Sequence, residues 1–167
     1  MKSILWFDRT FAFGLPAGML PFYLERLDGT IARLHQKTIN IPELVLSQKL
    51  GGKWSVKENI GHLSEANLIS GKRVEEILQQ AEVLSPAVGE LRGNYNDQPI
   101  REVIEIFAKV RKANIKRFEL LTDDDKTKSS LHPRLKLMIT PVDLALFDAE
   151  HDDHHLVRIN EIISALT

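Results

Sequence analysis

The chain has 167 residues, 43% hydrophobic and 27% charged, the balance of one globular domain spanning 1–167 and not of a disordered segment. Its 22 Lys+Arg against 23 Asp+Glu give a net charge of -1, without the basic excess that phosphate contacts favour, so no nucleic-acid partner is expected. Cysteine is absent, which excludes disulfides, thiolate metal sites and a cysteine nucleophile, and leaves any transition metal to His, Asp, Glu or water.

In chain order, residues 3–24 are apolar but interrupted by Asp8, Arg9, Pro16 and Pro21. They are too broken for a spanning helix and lack the pattern of a signal peptide, so a cytoplasmic protein without membrane association is expected. Trp6, Phe7, Phe11 and Phe13 are expected to pack residues 1–18 across one end of the fold. A first helix runs from Met19 to about Lys37, with Leu20, Tyr23, Leu24, Leu27, Ile31 and Leu34 on one face. A short turn of helix follows near Pro42–Ser47. The second helix opens on a capping box, Ser55 with Glu58, and carries Val56, Ile60, Leu63, Ala66, Val74, Ile77 and Leu78 to about Ala81. Residues 82–98 contain Pro86, Gly89, Gly93, Asn94 and Asn96 and read as a long, functional loop. A third helix spans about Pro99 to Leu121. Residues 122–139 are polar, then mixed, and Pro133 excludes a helix there. Thr140, Pro141 and Asp143 open a fourth helix that reaches about Ala165. No alternating strand pattern occurs. The expected class is all-α, a four-helix bundle whose long connections permit crossovers.

Chemistry concentrates in the histidines. The fourth helix reads Asp148-Ala149-Glu150-His151-Asp152-Asp153-His154-His155. His151 and His155 lie about 40° apart and one turn along, a spacing at which both imidazoles reach one ion. His155 falls in the apolar stripe of Leu144, Ile159, Ile162 and Leu166, with His151 at its edge. His154 falls with Glu150, Arg158 and Glu161 and is expected to face solvent. A buried imidazole pair needs satisfying, and a metal would satisfy both. His62, on the second helix, is the natural third ligand, and three histidines with an open position form a catalytic rather than a closed site. Asp148 and Asp152 also fall on the inward arc, as imidazole partners, further ligands or part of a polar bundle end. No Glu-x-x-His is present, so a di-iron carboxylate bundle is set aside, and Gly51-Gly52 lacks the tail of a phosphate loop.

Two stretches carry a family resemblance: Gly52-Lys53-Trp54-Ser55-Val56-Lys57-Glu58-Asn59-Ile60-Gly61-His62-Leu63 and Ala149-Glu150-His151-Asp152-Asp153-His154-His155-Leu156. With Leu24-Glu25-Arg26-Leu27 and His132-Pro133-Arg134, they resemble the DinB-like (YfiT-like) superfamily of metal-binding four-helix bundles. The resemblance implies a bundle with a long crossover, a homodimer, and a divalent transition metal, nickel or zinc, on His62, His151 and His155. It implies a metal-dependent thiol S-transferase, bacillithiol-transferase-like, that joins a low-molecular-weight thiol to a small electrophile. Two alternatives stand beside it. One is a metal-dependent hydrolase with Asp152 or Asp148 as base; the other is a non-enzymatic metal-binding or dimerisation module. Loop 82–98 and His132-Pro133-Arg134 are expected to shape the pocket, with Arg134 as a candidate anion contact.

Overall fold

A computed structural model describes residues 3–87 and 89–167; Met1, Lys2 and Val88 lie outside that range. Five α-helices form where the caps and apolar spacing place them: α1 (Leu20–Thr38), α2 (Glu43–Ser47), α3 (Val56–Leu78), α4 (Ile100–Glu119) and α5 (Pro141–Leu166). At the head of α3, the Glu58 amide donates to Ser55 Oγ at 3.1 Å and the Ser55 amide donates to Glu58 Oε2 at 2.8 Å. Thr140 and Asp143 make the same reciprocal pair at the head of α5. Each cap contributes about 1 kcal/mol and fixes the register of a helix that carries a candidate ligand.

The four long helices form the bundle. α1 packs against α4 and α5, and so does α3. Helices consecutive in sequence, α1 with α3 and α4 with α5, therefore stand diagonally across the bundle. The connections 39–55 and 120–140 are the crossovers, while the long loop 79–99 joins neighbours. The second crossover holds what the sequence reading missed, a hairpin of β1 (Ser130–Leu131) and β2 (Met138–Ile139). Two residues per strand are too few to show an alternating pattern. The turn between them carries His132, Pro133 and Arg134.

The core is divided. One apolar cluster gathers Leu27, Val74, Ile77, Phe118 and Leu144; the other gathers Leu34, Ile60, Phe107, Ile159 and Ile162. Between them each long helix contributes buried polar residues: Thr30 from α1, Asn67 and Ser70 from α3, Arg111 and Asn114 from α4, and Asp152 from α5. This polar waist is held by hydrogen bonds such as Asn114 Nδ2 to the Asn67 carbonyl at 2.5 Å. It explains why Asn114 sits in the apolar face of its helix.

Gly61 on α3 is a point of close approach. A Cβ there would overlap the ring of Tyr95, whose hydroxyl donates to Glu65 Oε1 at 2.8 Å. Gly61→Ala is expected to lower stability by about 1–3 kcal/mol through overpacking, measured by urea denaturation. A neutral effect would mean that Tyr95 moves away freely.

The N-terminal segment crosses α5 as expected. Trp6, Phe11 and Phe13 gather around Phe147, with ring centroids 5.1, 5.2 and 6.4 Å from it. The Gly14 and Leu15 amides donate to Asp143 Oδ1 at 2.9 and 3.0 Å, and Arg9 pairs with Glu150. Phe7 is the exception and stays exposed. No helix of the described residues is long and apolar enough to cross a membrane.

Candidate metal centre

α3 and α5 lie side by side, and the phase set by their caps turns His62 toward His151 and His155. His151 Nε2 stands 3.1 Å from His155 Nε2 and 3.4 Å from His62 Nε2. The three ligand atoms lie within 4.8 Å of one another. An ion bound tetrahedrally at ~2.0–2.1 Å by imidazoles requires nitrogens ~3.3 Å apart. Both spacings made by His151 match that requirement.

Three features adapt these rings to a cation. Asn59 Nδ2 donates to the Ser55 carbonyl at 2.7 Å, which turns Asn59 Oδ1 to His155 Nδ1 at 2.8 Å. His155 Nδ1 is therefore the protonated nitrogen, and its Nε2 lone pair is free for the cluster. Trp54 lies 4.6 Å from His62 and Trp6 lies 5.0 Å from His151, centroid to centroid, so indole walls cover the site on both sides. Burial keeps the imidazoles neutral: it lowers His62 to about 4, and with the neighbouring rings it holds His151 and His155 well below the usual imidazole range. Neutral imidazole is the ligating form.

The cluster opens on a cavity of about 620 Å³. Its walls include Trp6, Ile69, Pro86 and Phe147, and its polar groups include Ser70, Arg73, His132, Arg134 and Asp148. Ser70 Oγ donates to Asp148 Oδ2. Burial pushes the Asp148 carboxyl up to about 6, against the pull of Ser70 and Arg111.

Two expectations from sequence are corrected. Asp152 does not line this cavity. Its Oδ1 accepts from Arg111 Nη2 and its Oδ2 from Thr30 Oγ1, both at 2.7 Å, so it belongs to the polar waist and not to the set of candidate bases. His154 does not simply face solvent. It is half-buried, 5.7 Å from the Trp6 ring, because the N-terminal segment folds over the polar face of α5. Loop 82–98 reaches the cavity through Pro86, Ala87 and Gly89. Asn59 and Arg73 went unassigned from sequence, since only the packing of α3 shows what their side chains meet.

The depressed imidazoles predict the pH response of metal-free protein. An unfolded His titrates near 6.5, so the unfolded chain takes up protons before folded His62, His132, His151 and His155 do. Their contribution is present above about pH 6.5 and is lost as pH falls toward 4. Asp148 and Asp152, both raised by burial, act in the opposite sense: each loses its proton sooner in the unfolded chain, so they oppose folding as pH rises above about 4. With His154, also lowered by burial, five imidazoles outweigh two carboxyls. The Tm is expected to drop by about 5 °C or more between pH 7 and pH 5. A Tm that is flat or higher at pH 5 would contradict neutral burial of these rings.

Comparisons with known proteins bear on the family and the fold. The sequence model of the DinB superfamily matches residues 25–159. The fold is similar to that of YfiT from Bacillus subtilis, described as a probable metal-dependent hydrolase with an unusual four-helix bundle topology. That likeness has a TM-score of 0.81 at 18% identity, over 95% of this chain and 94% of that one. No curated protein matches the sequence significantly.

Proposed function

The chain belongs to the DinB superfamily, and from that premise and its three converging imidazoles we propose a divalent-metal-dependent enzyme that delivers a small nucleophile to a small electrophile. The observation that carries the reading is the position of the three nitrogens, grouped at the wall of a cavity large enough for two small molecules. His62, His151 and His155 would hold the ion, nickel or zinc, which when bound would supply Lewis acidity that lowers the pKa of a thiol or water beside it. Asn59 fixes the orientation of His155. Trp6 and Trp54 exclude bulk water from the ring cluster. Asp148 has Oδ2 tied to Ser70, leaving Oδ1 able to take the nucleophile's proton. A carboxyl near 6 is well placed to act as a base at neutral pH, a contribution of about 10²–10⁴-fold in rate.

The nucleophile in this reading is a low-molecular-weight thiol, making the protein a bacillithiol-transferase-like S-transferase. The chain has no cysteine of its own to attack with, and an activated thiol makes a separate protein nucleophile unnecessary. A sulfur–carbon bond forms, the leaving group departs with its electron pair, and the thiol proton passes to Asp148. Hydrolysis is the second reading, favoured by Asp148 as a base for water. The test is turnover of 1-chloro-2,4-dinitrobenzene and of a p-nitrophenyl ester by zinc- or nickel-loaded protein, with and without a thiol. Thiol-dependent turnover at least about 100-fold above a variant with the three histidines replaced by Ala is the expected result. Ester cleavage without thiol transfers the assignment to hydrolysis. Equal turnover by the triple variant would refute both.

A further inference from the structure

The cavity has a second chemical end. His132 is 2% exposed, and its Nδ1 accepts from the backbone amides of Arg134 and Leu135 at 3.3 and 3.2 Å. The ring proton is therefore on Nε2. That Nε2 is buried and has no hydrogen-bond partner among the described residues, although the residue lines the cavity. A buried donor left unpaired is costly, so one that lines a pocket calls for a ligand. Two guanidinium groups share this wall. Arg73 is 5% exposed and uses Nε on the Ser85 carbonyl at 3.0 Å, with no carboxylate ion pair among the described residues. Arg134, exposed at the cavity edge, has no ion pair among the described residues and lies over the Phe7 ring at 5.1 Å. Among the described residues Asp148 is the one carboxylate in the cavity lining, so two fixed positive charges face one negative.

We propose that this end of the cavity binds an oxyanion on the substrate, a carboxylate or a phosphate, between Arg73, Arg134 and the Nε2–H of His132. Guanidinium groups suit such oxyanions through paired, charge-assisted hydrogen bonds. The apolar wall of Trp6, Ile69, Pro86 and Phe147 takes the hydrocarbon body. The substrate class is thus a small amphipathic acid whose reacting carbon lies toward the imidazole cluster. The inference deepens the reading above and rests on it for the placement of the reacting carbon, but not for the binding of the anion.

Calorimetric titration of benzoate, phenyl phosphate and neutral benzyl alcohol into metal-free and zinc-loaded wild-type protein tests it, with zinc content measured in every sample. Both anions, or one of them, should bind at least about tenfold tighter than benzyl alcohol in the metal-free protein. The tighter anion names the head group. Arg134→Gln should remove most of that preference and leave benzyl alcohol unchanged, while exposed Arg101→Gln changes nothing. In wild-type protein the Nε2–H resonance of His132 should move with the anion and not with benzyl alcohol. Equal affinity for anion and alcohol, or an anion preference present only with zinc and indifferent to Arg134→Gln, overturns the proposal. Failure of zinc to bind would instead count against the metal centre and leave this result readable.

Discussion

Protein purified without a metal-affinity step should carry about one divalent transition metal per chain, and His151→Ala with His155→Ala should carry none. Two of the three converging nitrogens disappear in that variant, and His62 alone offers a single imidazole of ordinary affinity. Asn59→Leu is the finer probe. It keeps all three ligands but removes the acceptor that fixes the proton of His155 on Nδ1. Losing such an outer partner should weaken metal binding by about 10–100-fold without abolishing it. Elemental analysis gives the stoichiometry, competition with a chromophoric chelator gives the affinity, and circular dichroism confirms that the variants fold. Metal retained by the double variant, or none taken up by the wild type, would defeat the assignment.

Asp152→Ala should cost about 3–5 kcal/mol of stability, the largest single effect outside the metal centre. Arg111 and Asp152 are each 1% exposed, and their ion pair at 2.7 Å sits between the two apolar clusters. Arg111 also lies 5.0 Å from the Phe107 ring, while its Nε and Nη1 have no partner among the described residues. Removing the carboxylate leaves a buried cation whose main electrostatic compensation is gone. Arg111→Met combined with Asp152→Leu should recover most of the loss, since the pair itself is worth little net once its desolvation is counted. Chemical denaturation of the two single variants and the double variant closes the cycle. A cost below about 1 kcal/mol for Asp152→Ala would show that water reaches Arg111. The same variant separates structure from chemistry: turnover per folded molecule should survive, whereas Asp148→Asn should remove the base.

The helices were legible because local rules decide them. Ser55 with Glu58, and Thr140 with Pro141 and Asp143, mark helix starts that the structure places at the same residues. The spacing of His151 and His155 likewise follows from one helix. The crossover order of the helices was legible only through the family resemblance, since an apolar face does not say which neighbour it meets. The polar waist was not legible, because Arg111 looks like a surface charge until α4 and α5 bring it to Asp152. Asp152 shares the inward arc with His155, and only the third dimension separates a waist residue from a ligand. The buried Nε2 of His132 depends on a turn too short for any periodic signal.

The diagonal packing also sets an order of events during synthesis. His151 follows His62 by 89 residues, and Arg9 waits 141 residues for Glu150. A nascent chain that has released α3 but not α5 presents one imidazole and no chelate. Local helices can form on the ribosome, but pairings at such separation close late. An ion held by these three histidines would thus be acquired only once α5 has been made, and its identity would follow the free-ion pool met at that point. Trp6, made before α3 and α5, covers His151 only once α5 is in place.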